Sequence, residues 1–249
     1  MQSTQPGSTA RIAITPDFAW DAQDAYLFDI DGTLMRSRDR VHYDSVAISV
    51  HRVTGFEITL AGVPIHGSTD TAILREACRQ AEIPNSVLEE HYDAILEAMR
   101  NSVAERRQEL DPVLMPGVKD ALLHLAQKGA LLGVASGNLE AIGWIKIEKA
   151  GLREWFRFGG FSDLFPVRAE LIANAAQKAK DLAGSGAKVC VVGDTPRDID
   201  AAHANSLPVI AVATGRCSYD ELLQHEPEAC VSTLADLLAQ RLAKTSGSL

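Results

Sequence analysis

The sequence predicts an α/β protein: a three-layer, Rossmann-like core around a parallel sheet, with an α-helical cap inserted after the first strand. Two observations predict the core. Four short apolar runs, at 25–28, 130–135, 189–192 and 208–212, lack polar alternation, as strands covered on both faces do. Between them lie segments of helical period that stop at glycines such as Gly129 and Gly151, and alternation of this kind implies parallel pairing. A third observation predicts the cap: the stretch from Arg36 to Pro112, between the first strand and the rest of the core, reads as helical throughout.

Taken in order, residues 1–16 are rich in Ser, Thr, Gln, Gly and Pro and read as a flexible leader, with the ordered core expected over 17–35 and 113–249. The run Ala25-Tyr26-Leu27-Phe28 forms the first strand and delivers Asp29 at its end. The cap, 36–112, carries three helical patterns: one behind Asp44, one behind Ser68, and one opening on Ser86-Val87-Leu88-Glu89, which has the form of a capping box. A helix over 118–128 leads to the second strand, which ends at Ser136. A helix over 139–150 follows, with Trp144 and, just beyond it, Trp155 expected in or near the core. The third strand contains Cys190 and ends at Gly193-Asp194, the fourth lies at 208–212, and the tail from Lys244 is expected to fray.

Composition narrows the possible partners. The 249 residues are 46% hydrophobic and 23% charged, an ordinary globular mixture. With 24 basic against 33 acidic side chains the net charge is −9, which argues against nucleic acid or an anionic membrane as the main partner. The four cysteines are widely spaced without a C-x-x-C, so neither a disulfide framework nor a zinc site is indicated. No start resembles a secretory signal and no window is apolar enough to span a bilayer, so a soluble, cytoplasmic protein is expected. There is no G-x-x-x-x-G-K-[ST] phosphate loop.

The strand ends carry the chemistry, because ligands of open parallel sheets bind beyond the carboxyl ends of the strands. Those ends read Asp29-Ile30-Asp31-Gly32-Thr33-Leu34, Ser136-Gly137-Asn138 and Gly193-Asp194-Thr195-Pro196-Arg197-Asp198. Asp29 and Asp31, two apart on extended chain, point the same way and repel unless a cation or a shared proton compensates. Asp194 and Asp198 add hard oxygen donors, and Mg2+ suits such a set, since it takes one or two carboxylates, waters and a substrate phosphate oxygen. A hairpin at Asp31-Gly32 is disfavoured, because no matching strand follows. The seven histidines show no ligand spacing and read as surface or helix positions.

These three motifs, in this order at successive strand ends, resemble the haloacid dehalogenase superfamily, in its phosphatase branch with a helical cap after the first strand. The resemblance covers roughly 24–34 and 116–231, and the cap agrees in position and helical character. It implies that Asp29 is the nucleophile and Asp31 the general acid and base. It implies that Mg2+ is held by Asp29, Asp31 (through its backbone carbonyl), Asp194 and Asp198, and that phosphate is bound by Ser136, Gly137 and Asn138. The family usually places a lysine before the helix that precedes the third motif; here Arg168 stands there, and its fork of donors keeps the charge.

An acidic Asp31 disfavours dehalogenation, and the absence of any lysine between Arg36 and Val118 disfavours imine chemistry from the cap. A phosphomutase would share every core residue, and a catalytically silent binding protein would have to tolerate four clustered carboxylates. The cap loop Val63-Pro64-Ile65-His66-Gly67-Ser68-Thr69-Asp70 resembles the Gly-x-Thr-Asp stretch of phosphoglycolate-phosphatase-like caps. His66 in that loop, with Arg38 or Arg36 in the linker, is the candidate for substrate selection. The resulting expectation is a magnesium-dependent phosphatase that hydrolyses a small phosphorylated metabolite.

Overall fold

The structure, a computed structural model, describes residues 10–246. In chain order its elements are β1 (Ile12–Ile14), β2 (Ala25–Phe28), β3 (Met35–Ser37), α1 (Val41–Thr54), α2 (Asp70–Gln80), α3 (Asn85–Glu105), β4 (Pro112–Leu114), α4 (Val118–Gln127) and β5 (Leu131–Ala135). There follow α5 (Glu140–Lys149), β6 (Phe158–Gly160), α6 (Arg168–Ala183), β7 (Val189–Gly193), α7 (Pro196–Ala204), β8 (Val209–Val212), α8 (Tyr219–Leu223), β9 (Ala229–Val231) and α9 (Leu234–Ser246). The main sheet has the order β1-β9-β8-β7-β2-β5-β6 and is parallel except for β1, which runs antiparallel to β9.

Strand β2 lies inside the sheet, and all four of its side chains are buried. Tyr26 and Phe28 pack on one face with Leu122 and Leu125 of α4, and Ala25 and Leu27 pack on the other with Leu171 and Ala175 of α6. A side chain of this size contributes about 1.5–3 kcal/mol when fully buried, so apolar residues on both faces hold the strand in place. Its neighbours β5 and β7 run parallel to it, which brings the carboxyl ends of β2, β5 and β7 to one edge.

Several expectations are corrected. The leader was expected to reach residue 16, yet Ile12–Ile14 pairs with Ala229–Val231; residues 1–9 lie outside the described residues. The stretches expected to link core and cap do so as a paired two-stranded antiparallel ribbon, β3 with β4. The capping box at Ser86 does not form, since α3 starts one residue earlier behind Pro84 and has no side-chain cap. Residues 244–246 continue α9 rather than fray. Strands β6 and β9, each of three residues, are additional.

Helices α1, α2 and α3 build a third apolar core, with Val50, Leu74, Ile95 and Met99 at its centre. Two residues from the other side of the molecule, Leu139 and Ile142, complete it. Leu139 is the residue that caps α5, so the cap rests on the helix that leaves β5.

Candidate active site

The ends of β2, β5 and β7 open into a cavity of about 540 Å³ between the sheet and the cap. Asp29, Asp31, Ser136, Gly137, Asn138, Arg168 and Asp194 all line it, so the structure brings together nearly the whole set that the strand ends suggest.

Arg168, at the start of α6, ties the first and third motifs together. Its Nη2 donates to Asp29 Oδ1 at 2.9 Å and to Asp198 Oδ1 at 2.5 Å, and its Nε donates to the same Asp198 oxygen at 2.9 Å. Burial pulls the guanidinium pKa down, but the charges of Asp198 and Asp29 outweigh it and the net direction is up. Asp198 Oδ2 meanwhile accepts from the backbone N–H and the hydroxyl of Thr195, the capping box of α7. Both Asp198 oxygens are therefore committed, one to Arg168 and one to the helix cap. Asp198 thus holds Arg168 in place, standing behind Asp29 rather than lining the cavity. Asp29 Oδ2 takes no hydrogen bond among the described residues.

Asp31 faces a second cation that sequence reasoning missed. Lys146, on α5 and only 3% exposed, donates to Asp31 Oδ2 at 2.7 Å and to Asn138 Oδ1 at 2.9 Å. Asn138 Nδ2 donates to the same Asp31 oxygen at 2.9 Å and to Ser136 Oγ at 2.8 Å. Burial pushes the Asp31 carboxyl up, but the Lys146 charge, then that of His42, and the hydrogen bonds from Lys146 and Asn138 bring it below its ordinary value. Since Ser136 Oγ already accepts from Asn138, its own proton is free to donate. The backbone N–H of Gly137 likewise has no partner among the described residues. Together they form a small donor site at a strand-to-helix turn, suited to an anion.

Asp194 is buried, and its Oδ1 accepts from Thr33 at 3.1 Å. The loop after β8 passes so close that a Cβ on Gly215 would lie 1.7 Å from Asp194 Oδ2. Burial raises the Asp29 and Asp194 carboxyls well above their ordinary values; Asp198 and Asp31 push Asp29 further up against the pull of Arg168, and Asp29 and Asp198 push Asp194 further up. Among the described residues no three His, Cys, Asp or Glu side chains converge to hold a metal by themselves. Two mutually repelling, buried carboxylates opening on a cavity nevertheless fit a hard divalent cation that completes its shell with waters and backbone oxygen. The donor set thus suits Mg2+: Asp29 and Asp194 offer side-chain oxygens, and the bond from Lys146 to the Asp31 side chain leaves its backbone carbonyl available, as the resemblance implies.

The cap loop docks on these motifs. Asp70 N–H donates to Gly137 O at 2.7 Å, Asp70 Oδ2 accepts from Leu139 N at 2.8 Å, and Thr69 Oγ1 donates to Pro166 O at 2.8 Å. Arg168 Nη1 reaches Gly67 O at 3.2 Å, and Arg197 bonds Ser68. A Cβ on Gly137 would lie 2.4 Å from Ser68 O, so only glycine admits the loop this closely. His66 lines the cavity, as expected. Arg38 does not; Arg36, within β3, does, whereas Arg38 lies beyond the end of that strand. His42, read as helix filler, also lies in the wall, with Nε2 3.0 Å from Asp70 Oδ2. Among the described residues no helix is long and apolar enough to cross a membrane.

Comparison with known proteins agrees with this arrangement. The family described as haloacid dehalogenase-like hydrolase matches residues 23–205. A phosphoglycolate phosphatase from Mesorhizobium japonicum is 30% identical over 53% of this chain, an alignment spanning 59% of that protein's own length. A phosphoglycolate phosphatase from Agrobacterium fabrum is 27% identical over 85% of this chain and 89% of its own. Among solved structures, a predicted phosphoglycolate phosphatase from Haemophilus somnus superposes with a TM-score of 0.61 at 20% identity, over 88% of this chain and 98% of that one, a likeness of fold.

Proposed function

The chain belongs to the haloacid dehalogenase-like hydrolase family, and from that premise we propose that it is a magnesium-dependent phosphatase acting on phosphate monoesters through an aspartyl-phosphate. The observation that carries this reading is Asp29: a buried carboxylate at the end of the central strand, with one oxygen fixed by Arg168 and the other open to the cavity. Such a group is positioned to attack phosphorus, and the fixed oxygen sets its direction.

Asp29 Oδ2 forms a bond to phosphorus as the ester P–O bond breaks, and Asp31, which takes up a proton when the anionic phosphate binds beside it and offsets Lys146, gives that proton to the departing alkoxide. Asp31, now ionised and steadied by Lys146, takes a proton from water as that water attacks phosphorus and releases Asp29. Ser136 Oγ–H and the Gly137 N–H donate to the phosphoryl oxygens, and Arg168 faces the same charge. Mg2+, held by Asp29 and Asp194, supplies neutralisation of the phosphoryl charge when bound. The docked cap loop fixes the wall beside Gly137 and Arg168, while the exposed side chain of Asp31 stays open to the water it activates.

The test is phosphate release from a panel of monoesters, with phosphoglycolate included because two relatives carry that activity in their names. Release is expected with Mg2+, is lost with chelator, and falls by at least about a thousandfold in Asp29→Asn, the scale on which a covalent nucleophile acts. Release that survives Asp29→Asn unchanged would overturn the mechanism.

A further inference from the structure

The cavity is far larger than the reaction centre requires. A phosphoryl group with a two-carbon tail displaces only a few waters, each about 30 Å³, whereas the space here is about 540 Å³, within the range that takes ligands of drug-like size. The volume does not come from an open lid, since the cap loop is already hydrogen-bonded to Gly137, Leu139, Pro166 and Arg168.

The lining away from Asp29 has two characters. Tyr43 and Val46 of α1, Ile65 of the cap loop and Ile73 of α2 form an apolar wall. Beside it stand two arginines, Arg36 from β3 and Arg216 from the loop after β8. The other basic side chains here are taken: Arg168 by Asp29 and Asp198, Lys146 by Asp31, and the His42 ring by a hydrogen bond with Asp70. Neither Arg36 nor Arg216 has a hydrogen bond or ion pair through its guanidinium among the described residues. Asp39, the acidic group on this wall, spends its oxygens on the backbone N–H groups of Val41 and Asp111. Arg216 also bears on His66, whose pKa is lowered by burial first and by that charge second.

Resting on the phosphatase reading above, we infer that the substrate is a bulky phosphate monoester whose leaving group presents an apolar face to Tyr43, Val46, Ile65 and Ile73 and an oxyanion to Arg36 and Arg216. A guanidinium grips carboxylate or phosphate with paired donors, and it does so most strongly where no protein carboxylate competes. The apolar wall adds binding in proportion to the area it covers. Size, apolar body and second negative charge are thus required together, which a two-carbon acid meets only in part.

The experiment compares kcat/KM for four esters of similarly poor leaving groups: ethyl phosphate, phosphoglycolate, benzyl phosphate and 4-carboxybenzyl phosphate. The 4-carboxybenzyl ester is expected to exceed benzyl phosphate and phosphoglycolate by about tenfold or more each, on the scale of one charge-assisted pair and one apolar ring. In Arg36→Gln and Arg216→Gln the ratio of 4-carboxybenzyl to benzyl ester is expected to fall toward unity. A 4-(phosphonomethyl)benzyl phosphate, whose second anion cannot be hydrolysed, run alongside, tells whether a carboxylate or a phosphate-like oxyanion is preferred. Equal or better turnover of phosphoglycolate than of the 4-carboxybenzyl ester, or a ratio untouched by both substitutions, overturns the inference and leaves the phosphatase reading standing. No hydrolysis of any ester overturns that reading itself.

Discussion

Removing the ammonium of Lys146 would leave the Asp31 carboxylate and the Asn138 carbonyl without the donor that bridges them. Lys146 helps hold the Asp31 pKa down, so its loss moves that pKa up, and any limb of the pH–rate profile that needs ionised Asp31 moves to higher pH. Lys146→Met is expected to lower kcat on the order of a hundredfold with that shift, and Lys146→Arg to return the limb toward its original position. A limb that stays in place in Lys146→Met would mean that the residue only fills space. Asp29, Asp31 and Asp194 are legible in sequence because they sit in short motifs at strand ends. Lys146 is not, because its partner lies far away along the chain. A signal was present: Leu139, Ile142, Gly143 and Lys146 share one helical face at i, i+3, i+4 and i+7, and a lysine in an otherwise apolar stripe needs a buried partner.

At the level of elements, the turn from β5 into α5 carries both the donor site and the seat of the cap loop. Gly137→Ala places a methyl against Ser68 O, and overpacking of this kind costs roughly 1–3 kcal/mol, which the loop relieves by lifting away. The expected result is a tenfold or greater fall in kcat/KM, on the same energy scale, with the melting temperature nearly unchanged. A large loss of melting temperature with kcat/KM intact would show that the strain goes into the sheet instead. Strands β2, β5, β7 and β8 could be read because burial on both faces leaves an unbroken apolar run. The three-residue strands could not. Ile12–Ile14 follows a polar segment and pairs only at the sheet edge, Phe158–Gly160 carries two glycines, and Met35–Ser37 with Pro112–Leu114 looks like linker until the two pieces meet.

Across the whole molecule, the buried carboxylates give stability a pH dependence of definite sign. Asp29 and Asp194 have pKa values raised above those of the unfolded chain, so the folded state holds protons that the unfolded state releases. The stability they contribute is full below the ordinary carboxylate range and is lost as pH rises through their raised values. In chelator, the melting temperature is expected to fall between about pH 5 and pH 8 more steeply than in Asp194→Asn, and saturating Mg2+ is expected to flatten the difference. Equal slopes in chelator would mean that the two carboxylates do not repel in the folded protein. The division into a three-layer core and a helical cap was legible because the two parts carry different periods, two-sided strands against amphipathic helices.

Leu139 and Ile142 belong to the apolar core of the cap, although they follow directly on Ser136, Gly137 and Asn138. Ancestry and engineering therefore meet a constraint at α5. A cap transplanted from a relative, spliced at the ribbon of β3 and β4, would arrive without the floor it was shaped against, and two aliphatic side chains of the recipient would face a foreign ceiling. A successful chimera would have to carry α5 across together with the cap.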